Sequence, residues 1–126
     1  MKDKLIKLLD SSYSPYSNYQ VSAIVVTKDN KEFSGVNVEN ISYGATICAE
    51  RNAITTAVTS GYKKGDFKEL HLMCKDDLSV PCFMCRQVIS ELFDTDTLIY
   101  SYDKKGNINT YKVNELCPYP FESEDL

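Results

Sequence analysis

Two short runs of this sequence decide how it can fold: Cys48-Ala49-Glu50-Arg51 and Pro81-Cys82-Phe83-Met84-Cys85-Arg86. Each run opens a segment whose apolar residues recur with helical spacing, so both cysteine groups are expected at helix N-termini. The C-x-x-C pair would then present both sulfurs on one face of a first helical turn. A lone cysteine plus such a pair supplies three thiolates, a set that holds zinc with one position left open. The sequence therefore predicts a metal site where two helices begin.

Charged side chains accompany these cysteines. Glu50 lies two residues after Cys48, so its carboxylate can reach the volume around the same metal. Zinc lowers the pKa of a bound water toward roughly 7, and a positioned carboxylate can accept and pass on the proton. Arg51 and Arg86 each directly follow a ligand run and could offset thiolate charge by hydrogen bonding to sulfur. Taken alone, Glu50 would be an ordinary first-turn glutamate stabilised by the helix dipole.

The cysteines admit other interpretations. Each could be a free buried thiol, or the three could hold a structural zinc completed by a fourth protein ligand. The candidates for that fourth ligand are Cys74, Cys117 and His71. A zinc-stabilised binding module without activity would need such a ligand. It would leave Glu50 beside Cys48 without an explanation.

The composition excludes several classes of partner. A length of 126 residues with 43% hydrophobic content suits one globular domain, expected over residues 1–126. The net charge is −4 and the basic residues are scattered, so no basic stripe is available for a nucleic-acid polymer. No segment approaches the roughly 20 apolar residues of a membrane span, and no signal peptide is recognised. Five cysteines with a C-x-x-C pair favour metal over disulfides and predict a cytoplasmic protein.

Hydrophobic periodicity predicts eight elements in the order α-β-β-α-β-α-β-β. Helices are expected over residues 3–12, from residue 47 to a C-cap at Gly61, and after Cys82. Strands are expected over residues 21–27, 32–38, 70–74, 98–102 and 109–113. Five short strands among three helices are typical of an α/β fold with a single mixed sheet sandwiched between helices.

Further motifs, taken with the two cysteine runs, resemble those of the small three-cysteine cytidine deaminases. The matching runs are Ser14-Pro15-Tyr16-Ser17-Asn18-Tyr19, Gly35-Val36-Asn37-Val38-Glu39-Asn40, Cys48-Ala49-Glu50-Arg51-Asn52-Ala53, Pro81-Cys82 with Cys85-Arg86-Gln87-Val88-Ile89-Ser90-Glu91-Leu92, and the ending Pro118 to Leu126 with Phe121. The resemblance is specific because these runs occur together, in order and at the spacing of the family.

The resemblance implies an α/β/α catalytic domain that hydrolyses free cytidine, and 2′-deoxycytidine, to the uridine and ammonia, as in pyrimidine salvage. It implies one Zn²⁺ per subunit, bound by Cys48, Cys82 and Cys85, with Glu50 as the proton shuttle. It also implies a homotetramer that acts on a small nucleoside and binds neither a nucleic-acid polymer nor a membrane.

Roles for the nucleoside-binding residues follow from the same resemblance. Asn37 and Glu39 match a pair that hydrogen-bonds the ribose hydroxyls, and on a strand they would point to the same side. Tyr19 matches an aromatic residue, usually Phe, that lines the nucleoside pocket. The backbone around Ala49 is expected to read the base. Phe121 matches the aromatic residue that reaches the site of a neighbouring subunit.

The sequence also departs from the family pattern. Phe83-Met84 stands where Gly-Ala is common, which keeps the ligand spacing and changes the packing beside the metal or at a subunit contact.

Two related deaminase activities remain as alternatives. A deaminase of an antibiotic nucleoside such as blasticidin S is disfavoured by Asn37, Glu39 and Phe121. A polynucleotide cytosine deaminase would need the basic groove that the charge pattern lacks.

Overall fold

The computed structural model describes residues 1–125, so Leu126 of the matched C-terminal run lies outside the described residues. The helices are α1 (Lys2–Leu9), α2 (Ala49–Thr59), α3 (Phe83–Leu92) and α4 (Val113–Leu116). The strands are β1 (Val21–Thr27), β2 (Glu32–Val36), β3 (Phe67–Cys74), β4 (Leu98–Tyr102) and β5 (Ile108–Lys112). Short 3₁₀ turns lie at Tyr43–Ala45 and Ser123–Asp125.

The five strands form one mixed sheet with the order β2-β1-β3-β4-β5. β1 pairs antiparallel with both β2 and β3, and β4 pairs antiparallel with β5. β3 and β4 are parallel, with Leu70 opposite Ile99. A parallel pair needs a crossover connection, which α3 provides. The predicted fold class, a single mixed five-stranded sheet sandwiched between helices, is confirmed.

Each face of the sheet carries its own apolar cluster. β1 alternates between them, because successive side chains of a strand point to opposite faces. Ala23 and Val25 pack with the core of α2 and α3, whereas Ile24 and Val26 pack with Leu5 and other residues of α1. The larger cluster, on the α2 and α3 face, contains Ala49 and Cys85 from the two predicted ligand runs. The candidate site is therefore built into the main core.

Several predicted boundaries were wrong. The first helix ends at Leu9 rather than at residue 12. Strand β2 ends at Val36, so Asn37 and Glu39 lie beyond it and not on a strand. The expected strand over 109–113 runs instead from Ile108 to Lys112, and the chain then turns into α4.

A glycine sets the distance between β2 and α2. A Cβ at Gly35 would lie 2.5 Å from both the Ala49 carbonyl oxygen and the Ala53 nitrogen, which are backbone atoms of α2. Real Cβ atoms do not approach backbone that closely, so only glycine fits here. Asn52 adds a hydrogen bond of 2.8 Å from its side-chain amide to the Val36 carbonyl oxygen. This close contact fixes the first turn of α2, where Cys48 and Glu50 lie.

Candidate active site

Three cysteine sulfurs meet where α2 and α3 begin. Cys48 and Cys82 are the N-cap residues of the two helices, both with extended backbone conformations, and Cys85 lies in the first turn of α3. The three sulfurs lie within 4.8 Å of one another, and those of Cys48 and Cys82 are 3.6 Å apart. Two thiolates on a tetrahedral zinc with Zn–S bonds of about 2.3 Å would be about 3.8 Å apart. The donor set therefore fits zinc in both chemistry and spacing.

The surroundings of Cys48 favour the thiolate form of its side chain. The pKa of Cys48 is lowered to about 5, first by its hydrogen bonding with Cys85 and then by the hydrogen bond and positive charge of Arg51. The same interaction raises the pKa of Cys85, and burial and the nearby Glu50 carboxylate act in the same direction. Thiolate, not thiol, is the form that ligates metal. The hydrogen bonds around Cys48 thus favour the form of its side chain that binds metal.

Glu50 is buried directly beside the sulfurs. Its side chain is on the first turn of α2, the residue is 5% exposed, and its Oε2 lies 3.7 Å from the Cys85 sulfur, which donates to it. Burial raises its pKa, because the charged form loses its hydration. A carboxyl group with a raised pKa both accepts and returns a proton more readily near neutral pH. Glu50 is therefore suited to proton transfer at this site.

The two arginines differ from each other. Arg51 donates from Nη2 to the Cys48 sulfur at 3.6 Å, as the sequence predicted. The same prediction for Arg86 was wrong. Arg86 donates from Nε to the Pro81 carbonyl oxygen at 2.8 Å and from Nη1 to the Leu116 carbonyl oxygen at 3.1 Å. Its guanidinium ties α3 to α4, so its connection to the cluster passes through the backbone before Cys82.

A cavity of about 390 Å³ opens beside the sulfurs. Its walls include Cys48, Cys82, Ala49 and Glu50 on one side, and Tyr19, Asn37 and Glu39 on another. Two hollows of about 630 Å³ lie elsewhere, one beside α1 and one between α3 and the C-terminal tail, and neither is lined by the three cysteines. We take the smaller cavity as the site, because only there do a metal-binding set and a buried carboxyl group converge.

Asn37 and Glu39 reach this cavity from the segment after β2. Asn37 is buried; its Oδ1 accepts from the Val21 N–H at 2.9 Å and from the Ser12 hydroxyl, and its Nδ2 donates to the Tyr19 carbonyl oxygen at 2.8 Å. Glu39 accepts from the turn at Tyr16 and Ser17, which keeps its pKa below the usual range. Side-chain hydrogen bonds, rather than strand geometry, therefore orient this pair.

Tyr19 forms another wall of the cavity, together with Cys74. The Tyr19 hydroxyl donates to Asp77 Oδ1 at 3.1 Å, and burial raises the pKa of the phenol. Cys74 is a buried core residue, and burial also raises the pKa of its thiol. The hydrogen bond from Tyr19 links the loop before β1 to the loop after β3. A phenylalanine at this position could not form that link.

The candidates for a fourth protein ligand do not join the cluster. Within residues 1–125, the metal-binding group consists of Cys48, Cys82 and Cys85, without Cys74, Cys117 or His71. His71 lies on the sheet face opposite the site, with Nδ1 2.7 Å from the Tyr102 hydroxyl. Its Nε2 is 3.1 Å from a Glu69 oxygen, though not aligned for a hydrogen bond. The contacts of His71 are thus with Tyr102 and Glu69, and they give it a structural role in the sheet.

Comparison with known proteins identifies the family. The model of the cytidine and deoxycytidylate deaminase zinc-binding region matches residues 1–101. A cytidine deaminase of Halalkalibacterium halodurans is 38% identical over 122 residues, covering 96% of this chain and 91% of that protein. The chain belongs to the cytidine deaminase family. A cytidine deaminase of Mycoplasma genitalium is 34% identical over 119 residues, covering 94% of this chain and 91% of that protein.

The fold agrees with that of solved cytidine deaminases. The crystal structure of cytidine deaminase from Burkholderia pseudomallei has a TM-score of 0.90 to this chain, at 35% identity and with 94% of each chain covered. Membership of the cytidine deaminase family, at this coverage, makes the chain a hydrolase with a zinc-binding region. No helix within residues 1–125 combines the length and the apolar character needed to cross a membrane.

Phe121 does not line the cavity of its own chain. Its ring is on the surface, with the residue 58% exposed. The tail is anchored through its backbone. The Gln87 side chain accepts from the Phe121 N–H at 3.1 Å and donates to its carbonyl oxygen at 2.7 Å. One side chain thus holds the tail while leaving the ring exposed.

Sequence reasoning missed several residues that shape this cytidine deaminase site. Gly35 was not singled out, although an isolated glycine inside a strand is a recognised sign of close backbone approach. Ser12 and Ser17 hydrogen-bond Asn37 and Glu39. Ser17 lies in a run that matches the family, but local spacing reveals neither contact, because the partners lie 25 and 22 residues away. Gln87 was quoted within a family motif without a role. Contacts of this kind depend on the fold and cannot be read from local spacing.

Proposed function

We propose that the protein hydrolyses free cytidine and 2′-deoxycytidine to uridine and 2′-deoxyuridine, with release of ammonia. The observation that carries this proposal is the buried Glu50 carboxyl beside three clustered cysteine sulfurs, at the wall of a cavity of about 390 Å³. The names of the relatives support the same substrate class. We place the reaction in pyrimidine salvage in the cytoplasm, with residues 1–126 as one catalytic domain.

Zinc is the proposed cofactor, one ion per subunit, bound by Cys48, Cys82 and Cys85. When bound, it would supply a water of lowered pKa to the reaction. Arg51 supports this set by donating to the Cys48 sulfur and balancing part of the thiolate charge. Arg86 supports it less directly, by holding the carbonyl oxygen of Pro81, the residue that precedes Cys82.

Glu50 carries the protons in this proposal. It accepts a proton from the attacking water and passes it to N3 of the pyrimidine as the oxygen bonds to C4. It then delivers the second proton of that water to the departing amino group, and the C4–N bond breaks to release ammonia. The overall balance is nucleoside plus water to deaminated nucleoside plus ammonia. The raised pKa of Glu50 suits a group that must hold a proton between two steps.

Asn37 and Glu39 are the proposed ligands of the sugar. Hydrogen bonds inside the protein use both lone pairs of Asn37 Oδ1 and one of its two N–H groups. They also use three of the roughly four acceptor positions of the Glu39 carboxylate. The pair therefore retains one donor and one acceptor, enough to bind a single hydroxyl in both directions. Cytidine and 2′-deoxycytidine share such a hydroxyl, so we expect both to be substrates.

The remaining proposed contacts surround the base. Tyr19 lines the cavity with its ring, and the backbone of Ala49, at the start of α2, lies where it can hydrogen-bond the pyrimidine edge. We propose a homotetramer in which the exposed Phe121 ring contributes to the site of a neighbouring subunit. The backbone anchor at Gln87 supports this assignment, because it leaves the ring free to make contacts outside its own chain.

Ammonia release from the zinc-loaded protein tests the proposed reaction. Cytidine, 2′-deoxycytidine and cytidine inside an oligonucleotide would be compared, with a chelator-stripped sample and Glu50→Ala as controls. We expect turnover of both free nucleosides, no turnover of the oligonucleotide, and loss of activity in both controls. A folded, zinc-loaded protein that turns over neither nucleoside would refute the proposal.

A further inference from the structure

The loop between α1 and β1 holds the Glu39 carboxylate on three hydrogen bonds. Oε1 accepts from the backbone N–H of Tyr16 at 3.0 Å and from that of Ser17 at 3.1 Å, and Oε2 accepts from the Ser17 hydroxyl. The turn that presents these donors is closed by the Asn18 N–H donating to the Ser14 carbonyl oxygen at 2.9 Å. Asn18 adopts a left-handed backbone conformation with φ of 56°, which asparagine tolerates better than most residues.

The Ser17 hydroxyl has a single arrangement in this network. Its oxygen accepts from the Tyr19 N–H at 3.1 Å, and its proton is donated to Glu39 Oε2. Because one bond fixes the oxygen and the other fixes the proton, the hydroxyl is oriented from both sides. The segment that carries Glu39 is fixed as well, since the Glu39 N–H donates to the Tyr13 carbonyl oxygen at 2.8 Å. These hydrogen bonds therefore fix both the position and the orientation of the Glu39 carboxylate.

Ser17 is the side chain that decides which acceptor position of Glu39 remains open. Without its hydroxyl, Oε1 would keep both backbone donors, while Oε2 would have no protein partner among those described. The carboxylate could then rotate about its side-chain torsions, which for glutamate are broad at the terminal bond. Glu39 has one lone pair left to accept from a hydroxyl. The affinity for that hydroxyl falls when the lone pair no longer points toward it.

We propose that Ser17 is a positioning residue that aims the Glu39 carboxylate at one sugar hydroxyl of the nucleoside. This inference rests on the proposed role of Glu39 in substrate binding. Ser17 acts through Glu39, so its contribution depends on the substrate carrying a hydroxyl for Glu39 to accept from. That dependence separates a positioning role from a merely structural one. The lowered pKa of Glu39, caused first by the Ser17 hydrogen bond, agrees with an ionised acceptor.

The test compares Ser17→Ala with Ser17→Thr on two substrates. Thr retains a hydroxyl that can make both hydrogen bonds. With cytidine, we expect Ser17→Ala to lower kcat/KM about 10-fold, mainly through KM, and Ser17→Thr to stay within about 3-fold of the wild type. With 2′,3′-dideoxycytidine, which lacks both hydroxyls, Ser17→Ala and the wild type should have equal kcat/KM within about 2-fold. Ser60→Ala is the matched control, because Ser60 ends α2 and its hydroxyl bonds only the Thr56 carbonyl oxygen.

A double-mutant cycle completes the test. In a Glu39→Gln background, the further change Ser17→Ala should have little effect, because the aimed carboxylate is already gone. An equal loss on cytidine and on 2′,3′-dideoxycytidine, or full additivity with Glu39→Gln, would overturn the positioning role. Wild-type protein that is inactive on cytidine would instead refute the proposed function, and active wild type with an unaffected Ser17→Ala would refute this inference alone.

Discussion

The two helix N-termini that supply the cysteines differ in what surrounds them. At the start of α2, Ala49 and Glu50 are buried, and the helix presses against β2 at Gly35. At the start of α3, by contrast, Phe83 and Met84 are 76% and 64% exposed. Both ends supply thiols to the same cluster, but one faces the core and the other faces solvent.

The two helix N-termini therefore contribute different groups to the site. The α2 end provides the group that changes protonation, and its burial is what raises the Glu50 pKa. The α3 end provides two sulfurs, and only Cys85 points into the core while the two residues between them stay on the surface. We therefore expect substitutions at the α2 end to change chemistry, and substitutions at the outer face of α3 to change it little.

The largest effect is expected at Glu50. Replacing it with glutamine keeps the shape and removes the proton-accepting group, so kcat should fall by about 10³-fold. The free energy of unfolding should stay the same or increase, because a buried ionisable group is replaced by a neutral one. Steady-state ammonia release and thermal unfolding measure the two quantities. A variant with more than a tenth of the wild-type kcat would contradict the role of the α2 end.

A second prediction concerns the contact between α2 and β2. Gly35→Ala should lower the free energy of unfolding by about 3 kcal/mol, because the new Cβ meets backbone that cannot move without displacing the helix. The displaced first turn of α2 should also lower kcat/KM. Gly44→Ala is the matched control, since a Cβ there has nothing within 4 Å, and it should change stability by less than about 0.5 kcal/mol. Equal effects in chemical denaturation would show that the close contact is unimportant.

The two arginines allow a direct comparison of the two ends. Arg51→Gln removes the donor to the Cys48 sulfur and should weaken zinc binding about 10- to 100-fold, as measured by competition with a chelator. Arg86→Gln removes two bonds to backbone carbonyl oxygens and should instead cost about 2 kcal/mol of stability. Its effect on zinc affinity should be the smaller of the two. The reverse order would mean that the α3 end controls the metal.

The smallest effect is expected on the outer face of α3. Phe83 and Met84 do not line the cavity, so changing both to alanine should alter kcat/KM by less than about 2-fold. Stability should fall by about 1 kcal/mol or less, mainly from the lost contact of the Arg86 guanidinium with the Phe83 ring, 4.4 Å from its centroid. A 10-fold loss of activity would show that this face completes a site, as a subunit contact would.

Much of the fold could be predicted from the sequence because its signals are local. Hydrophobic periodicity predicted the five strands in their correct order, and β1 and β4 have the bounds that were expected. The three sulfurs could be predicted because C-x-x-C and a cysteine at a helix start fix their directions through helical geometry alone. Glu50 could be predicted beside the sulfurs because it lies two residues after Cys48.

The rest of the site depends on contacts that sequence spacing does not encode. Asn37 and Glu39 were placed correctly at the cavity for the wrong geometric reason, since β2 ends before them and the loop from Ser12 to Val21 orients them. Arg86 follows a ligand as closely as Arg51 does, yet the last residue of α4 provides a carbonyl oxygen that is a better acceptor than sulfur. In both cases, a hydrogen-bond partner from a distant part of the chain determines how the side chain is oriented.

The sheet order also affects when the metal site can form during translation. Cys48 and Cys82 are 34 residues apart in the chain, and β3 lies between them. At about 5–20 residues per second, translation separates the synthesis of the two helix starts by roughly 2–7 s. During that time β1, β2 and α2 are complete while the second half of the thiol set does not yet exist. The crossover through α3 is secured only when β4 pairs beside β3. We therefore expect zinc to bind late in synthesis, and we expect a truncated product that ends before β4 to bind zinc more weakly than the full chain, although it contains all three cysteines.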